Sequence, residues 1–229
     1  MRGDADARKA RLIAALAFGA AAFSIISCGG KPPEVSAVEW RLETRPSEQG
    51  SPFESLSAFG SLKDEYGLDN IEEIWIVHDE SAFAWKLTSA EWTKAEEGTD
   101  NWIGGSSLAT PELGPLPRGK YRFVAIDAAG QKAELPFEIT GDFPDKQTPS
   151  LSYSSKGGSL SIRSDWTETL ALAFDAAGAL LGSAAAPDKA TTLAELFGEG
   201  IVDRIAMVGA YGYEPALKIG TFSPRARTR

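Results

Sequence analysis

Cys28 is the residue whose chemistry stands out first, because it is the single cysteine in 229 residues. It follows Ser27 and an uncharged apolar run over 12–26, and four basic residues precede that run and outnumber two aspartates. The run has 15 residues, whereas a membrane-spanning helix needs about 20. A basic start, a short apolar run and a small residue before the thiol are typical of a secretion signal. The sequence therefore predicts a signal peptide that ends at a reactive thiol.

Residues Ile25, Ile26, Ser27 and Cys28 resemble the lipobox of bacterial lipoproteins. The resemblance implies that the Cys28 thiol receives a diacylglycerol, that the signal is removed before it, and that the new amino group is acylated. Ile25 departs from the family pattern, in which leucine is commonest. Two or more acyl chains hold a protein stably in a bilayer, which predicts anchoring at the bacterial cell membrane or outer membrane, facing the periplasm or the exterior. An ordinary secretory signal with an incidental cysteine and a retained anchor helix stay open as alternatives.

The other residues that could do chemistry give little support for an enzyme. His78, the only histidine, alternates with Ile74 and Ile76, so it is expected to pack at the end of a strand. The sequence contains no nucleophile elbow and no glycine-rich phosphate loop. Asp127 and Asp175 occupy turns, where an aspartate bonds nearby backbone amides more often than it binds calcium. We therefore predict a noncatalytic protein with no metal and no cofactor.

Trp92 and Trp102 are the candidate ligand-binding residues. They flank the polar segment 93–101, and an exposed aromatic ring can stack on a sugar or anchor a protein partner. Partial burial beneath the loop is the alternative interpretation.

Charge limits the expected partners. The chain carries 32 acidic and 23 basic residues, a net charge of −9, so nucleic-acid phosphates would be repelled. The expected partners are the membrane, through lipid on Cys28, and an envelope or extracellular protein. A glycan is the alternative ligand.

The elements that would position these residues are strands. The sequence predicts an all-β fold of two tandem antiparallel β-sandwich domains, with minor helical turns. The predicted boundaries are a signal peptide at 1–27, a lipidated tether at 28–34, a first sandwich at 35–140, a linker at 141–149, a second sandwich at 150–224 and a basic tail at 225–229.

The clearest fold signal is the segment 116–139, in which a Pro-x-Gly turn leads into alternating Tyr121, Phe123 and Ala125. This hairpin resembles the last two strands of fibronectin type III and immunoglobulin-like sandwiches. The resemblance implies that the two predicted domains are immunoglobulin-like. It also implies a structural role for Tyr121, whose hydroxyl would lock the corner before the strand.

Three local features complete the prediction. An Asp-Ala-Ala-Gly turn at 127–130 recurs at 175–178, which suggests two related hairpins. Segment 53–66 has apolar residues at helical spacing and predicts a loop with one or two helical turns. Segment 191–198 predicts a short helix capped by Thr191 or Thr192.

Overall fold

The computed structural model describes residues 30–47, 51–81, 83–97 and 100–228. Pro32–Arg229 is one compact unit made mostly of β-strand. The predicted signal peptide and Cys28 lie outside the described residues. None of the helices in the described ranges has the length and apolarity that a membrane crossing requires.

Sixteen strands and two short α-helices make up this part of the chain. The strands are β1 (Glu34–Arg45), β2 (Phe53–Lys63), β3 (Ile71–His78), β4 (Ala84–Leu87), β5 (Thr93–Glu97), β6 (Asp100–Leu108), β7 (Gly119–Asp127), β8 (Lys132–Ile139), β9 (Ser150–Ser154), β10 (Ser159–Arg163), β11 (Glu168–Phe174), β12 (Leu180–Ala185), β13 (Thr191–Thr192), β14 (Met207–Glu214), β15 (Ile219–Phe222) and β16 (Ala226–Arg227). The helices are α1 (Leu193–Phe197) and α2 (Glu199–Val202), and a 3-10 turn covers Leu68–Asn70.

The strands form three sheets. The long sheet has the order β12-β11-β14-β15-β1-β2-β6-β5, with β16 paired to β14. The four-stranded sheet has the order β4-β3-β7-β8, and the three-stranded sheet has the order β13-β10-β9.

Alternating side chains explain how the four-stranded sheet packs on the long sheet. On β3, Ile74 and Ile76 are fully buried, and on β7 Tyr121 and Phe123 are fully buried as well. These side chains meet residues of β1 and β2 such as Leu56 in one core. The strands predicted from the period of two near residues 74–87 and 116–139 are present as β3, β4, β7 and β8.

The long sheet runs through both predicted sandwiches. β1 pairs in parallel with β15, with Leu42 opposite Ile219 and Thr44 opposite Thr221. Residues 141–149 carry no strand or helix, but they do not separate two independent sheets. Two tandem immunoglobulin-like domains are therefore not confirmed, because one hydrogen-bonded sheet contains strands from both sides of the predicted linker.

Segment 53–66 is mostly strand β2, not the loop with helical turns that its apolar spacing predicted. β2 pairs along its length with β1 on one side and with β6 on the other. Its buried face carries Leu56, Ala58, Gly60 and Leu62, a period of two. Gly60, which breaks the helical pattern, lets the Phe123 ring approach the strand: a Cβ there would lie 2.8 Å from Phe123 Cζ.

The other end of the long sheet packs on a second small core. Ala171 and Val208 on the long sheet contact a cluster that includes Leu160 of β10 and Leu193 of α1. Helix α1 begins with a capping box: the Thr192 hydroxyl accepts from the Glu195 N–H, and the Glu195 carboxylate accepts from the Thr192 N–H. The capped helix predicted at 191–198 is confirmed.

Candidate functional site

The long sheet has two faces, and one of them is covered. Strand register places Leu42, Ile219, Ala210 and Ala171 on the covered face, and each is at most 1% exposed. This face packs against the four-stranded sheet at one end and against the three-stranded sheet and α1 at the other.

The opposite face, called the open face here, has an apolar half on β11, β14 and β15. Leu172, Phe174 and Tyr211 cluster there with Phe222. They lie along a groove of about 950 Å³. Pockets that hold small molecules commonly measure about 300–1,000 Å³, so the groove is large enough for a ligand.

The open face has a charged half on β1, where Arg41, Glu43 and Arg45 alternate along the strand and line the same groove. The Arg45 guanidinium donates to Glu43 Oε2 at 2.7 Å and to Ser55 Oγ at 2.9 Å, and the Ser57 hydroxyl donates to Glu43 at 3.2 Å. Glu43 is only 5% exposed. Its buried charge is therefore compensated by a guanidinium and a hydroxyl.

Three arginines of the groove stack on aromatic rings. The guanidinium carbon of Arg41 lies 5.0 Å from the centre of the Tyr213 ring, and that of Arg45 lies 4.4 Å from the Phe222 ring. Arg225 stacks on Phe174 at 3.8 Å. Stacking holds the plane of a guanidinium and leaves its N–H edge available for hydrogen bonds.

Two of these arginines pair with no carboxylate of the described residues. Within the described ranges, neither Arg41 nor Arg225 forms an ion pair, and Arg225 donates only a long hydrogen bond of 3.4 Å to the Gly178 carbonyl. Glu43, already paired with Arg45, is the one acidic side chain among the described residues that line the groove. The described residues that line the groove thus carry a net positive charge, whereas the chain as a whole has a net charge of −9.

Tyr211 lies at the centre of the open face and carries an unpartnered hydroxyl. It is 5% exposed, and its hydroxyl makes no hydrogen bond of good geometry to any described residue. Gly220 on β15 allows the ring to lie over the strand, because a Cβ there would overlap the phenol. Burial, and after it the negative charge of Glu43, raises the pKa of the Tyr211 phenol.

The predicted ligand-binding tryptophans lie away from this groove. Trp92 is 8% exposed and Trp102 is half-buried, and neither indole N–H has a hydrogen-bond partner among the residues described. Trp92 lines a smaller pocket of about 440 Å³ together with Asp69, Glu72 and Lys94. With 8% of its surface exposed, the Trp92 ring has no open face on which a sugar could stack.

His78 is closed off by hydrogen bonds at the end of β3. It is 3% exposed, with Nε2 2.9 Å from the Arg118 carbonyl and Nδ1 2.7 Å from the Ser81 hydroxyl. The Ser81 N–H donates to Nδ1 at 3.2 Å, so the proton resides on Nε2, which donates to the carbonyl. This packed strand-end histidine agrees with the sequence-based expectation.

The aspartates of the repeated turn bond to backbone amides, as expected from sequence. Asp127 accepts from the Ala129 and Gln131 N–H groups, and Asp175 accepts from the corresponding amides two and four residues on. Among the described residues no group of three or more potential ligands is arranged to hold a metal ion.

Tyr121 makes the contact expected of a tyrosine corner. Its hydroxyl donates to the Pro117 carbonyl at 2.6 Å, and its ring stacks on Phe137. Burial raises the pKa of Tyr121 to about 12.

Sequence reasoning missed the groove, although its strands carried a signal. Arg41, Glu43 and Arg45 alternate with uncharged residues on β1, and the large residues Leu172 and Phe174 alternate with small alanines on β11. These patterns predict strands, but only the pairing of β1 with β15 places the charged and the apolar halves side by side.

No protein-family model matches the chain, and no curated protein matches it either. Among solved structures, the chain is similar to "Tp47, the 47-Kilodalton Lipoprotein of Treponema pallidum", with 14% sequence identity and a TM-score of 0.41. The match covers 88% of this chain and 52% of that one, so this chain spans about half the length of its neighbour. Similarity at this level supports no conclusion about function.

Proposed function

We propose that this protein is a membrane-anchored bacterial lipoprotein that acts as a noncatalytic binding module in the cell envelope and binds its ligand in the groove of the open face. The observation that carries the binding role is the groove itself, where an apolar half and a positively charged half lie on adjoining strands of one sheet. Apolar side chains left on an open sheet face are typical of binding sites.

The anchoring role rests on the sequence around Cys28. A multiply acylated cysteine would hold the chain stably at the membrane. Residues 29–34 would then tether the lipid to β1, which begins at Glu34.

The ionisable groups of the groove support binding over catalysis. Glu43 is held by Arg45 and by Ser57, and it faces no second carboxylate among the described residues lining the groove. General acid–base catalysis needs a group free to accept and release a proton at the reacting atom. His78, whose two ring nitrogens are both hydrogen-bonded, does not line the groove.

The carbohydrate-binding alternative has less support. It needed an exposed ring at Trp92, at Trp102 or at both, whereas Trp92 is 8% exposed, Trp102 is half-buried, and neither lines the groove.

Mass spectrometry of the mature protein from membranes tests the anchor. We expect a chain that starts at Cys28 and carries the mass of a diacylglycerol and an acyl chain, and we expect Cys28→Ser to abolish both the lipid and partition into the detergent phase. An unmodified chain with a different first residue would disprove this part of the proposal.

The uncharged dye Nile red tests the groove without presupposing the charge of its ligand. Ser183 is exposed on β12 and lines the groove, so Ser183→Trp should fill it and abolish the rise in dye fluorescence. Ser152 is an exposed serine on β9 outside the groove, which makes Ser152→Trp the matched control. Equal dye binding by the two variants would contradict a ligand site in the groove.

A further inference from the structure

We infer that the groove binds a small amphiphile with one acid group, a carboxylate or phosphate monoester on an apolar body, and that the acid group binds to Arg41. This inference rests on the proposed binding function and adds the chemical class of the ligand.

The arrangement of the open face matches the two ends of such a molecule. On β11 and β14, Leu172, Phe174 and Tyr211 form an apolar surface. Two strands away, Arg41 and Arg45 on β1 line the same groove. An apolar body lying over the first surface would place its polar end at the second.

Charge selects an acid over a neutral or a basic head group. The groove contains Arg41, Arg45 and Arg225 against the single carboxylate of Glu43, counted over the described residues that line it. The protein as a whole has a net charge of −9, so the positive groove is a local departure from the surrounding field. An anion entering it would meet complementary charge.

Arg41 is the arginine best placed to bind the acid. Arg45 already donates to Glu43 and Ser55, whereas Arg41 is exposed and pairs with no described carboxylate. Its guanidinium lies over the Tyr213 ring at 5.0 Å, and a guanidinium can donate two N–H groups to one carboxylate or phosphate.

The size of the groove selects a small molecule over a protein surface. A volume of about 950 Å³ lies within the range of small-ligand sites. The apolar lining includes Leu180, which is 58% exposed, and the half-buried Leu170 and Phe222, so an aliphatic or aromatic body would contact accessible apolar surface there.

Displacement of Nile red by three probes with the same alkyl chain tests the ligand class. The probes are dodecanoate, dodecanol and dodecyltrimethylammonium. We expect dodecanoate to displace the dye at a concentration about tenfold lower than dodecanol, because a hydrogen-bonded pair of opposite charges strengthens binding by about that factor. The cationic probe should be the weakest of the three.

Arg41→Gln is the decisive variant, and Arg163→Gln is its matched control, because Arg163 is an exposed strand arginine outside the groove. We expect Arg41→Gln to remove the advantage of dodecanoate and to leave dodecanol unchanged. Arg163→Gln should alter neither. An unchanged circular dichroism spectrum shows that each variant is folded.

Three outcomes would overturn the inference. The first is that dodecanol displaces the dye from the wild-type protein as well as dodecanoate does or better. The second is that Arg41→Gln leaves the advantage of dodecanoate in place. Self-association in sedimentation that Ser183→Trp abolishes would assign the groove to a second copy of the chain. If Nile red binds in the groove while dodecanoate has no advantage, the ligand class fails and the binding function stands; if Nile red never depends on the groove, the binding function itself fails.

Discussion

Tyr121 and Tyr211 are both buried tyrosines on central strands, yet their hydroxyl groups differ. Tyr121 lies between the long and the four-stranded sheets, is fully buried, and donates to the Pro117 carbonyl at 2.6 Å. Tyr211 lies on the open face and is 5% exposed, and its hydroxyl makes no hydrogen bond of good geometry to a described residue, although Glu43 lies close enough to help raise its pKa. The Tyr121 hydroxyl is therefore hydrogen-bonded within the fold, whereas the Tyr211 hydroxyl makes no well-formed hydrogen bond to a described residue.

The difference follows from what covers each face. Between two sheets, a polar atom without a partner costs free energy in every folded molecule, so such atoms are usually paired. On the open face, side chains from the same sheet and its flanking loops, such as Phe222 and Arg225, cover their neighbours among the described residues. Two arginines that pair with no described carboxylate, Arg41 and Arg225, lie on that face beside apolar side chains that include Leu180, which is 58% exposed.

The largest expected effect comes from replacing one phenylalanine by alanine in the core between the sheets and one on the open face. Phe123 is fully buried in the core between the two sheets, so Phe123→Ala should lower the free energy of unfolding by about 3–5 kcal/mol. Phe222 on the open face is half-buried, so Phe222→Ala should cost about half as much. Urea unfolding of both variants measures the two values.

Equal losses for the two variants would break the comparison, because the open face would then behave as a packed core. Phe222→Ala should in addition weaken Nile red binding, whereas the surviving fold of Phe123→Ala should still bind the dye.

Tyr121→Phe tests the corner contact with a smaller expected effect. The change removes one hydroxyl and leaves the Pro117 carbonyl without its donor, so we expect a loss of about 1–3 kcal/mol in urea unfolding at neutral pH. Tyr66 is 64% exposed, and Tyr66→Phe is the control that should change stability little. A Tyr121→Phe loss no larger than that of the control would mean that the hydroxyl does not lock the corner.

The sequence predicted the local elements better than their assembly. Strands β3, β4, β7 and β8 follow from alternating side chains, and α1 follows from Thr192 and Glu195 in a capping box. These signals act between neighbours along the chain. The pairing of β1 with β15 joins residues such as Thr44 and Thr221, whose hydroxyls lie 2.5 Å apart, and no local pattern encodes such a distant pair.

The candidate site could not be predicted either, because it depends on contacts between segments that are distant in the sequence. Which face of β11 or of β14 stays open depends on where the three-stranded sheet packs, and the small residues Ala171 and Ala173 gave no sign of it in sequence. Trp92 attracted attention because aromatic rings beside a polar loop are often exposed, whereas its ring lies against the core.

The pH dependence of unfolding compares the two tyrosines once more. Its effect on stability is the smallest of these tests at neutral pH and grows at alkaline pH. The pKa values of both phenols are raised in the folded protein, that of Tyr121 to about 12, whereas a phenol in the unfolded chain ionises near 10.0. Above that pH the unfolded chain binds fewer protons than the folded one, so stability is complete below it and falls as the pH rises toward about 12. Tyr211→Phe removes one of the two phenols and should flatten the decline.

At neutral pH, Tyr211→Phe and Tyr121→Phe should change the free energy of unfolding by different amounts. Tyr211→Phe removes a hydroxyl that has no described partner, so it should change the free energy of unfolding by less than about 0.5 kcal/mol or raise it slightly, because a buried polar group is lost with no bond broken. Urea unfolding at a series of pH values from about 8 to about 12 measures both effects on the same samples. A neutral-pH loss as large as that of Tyr121→Phe would mean that the Tyr211 hydroxyl is bonded within the fold, and the open face would then be as complete as the covered one.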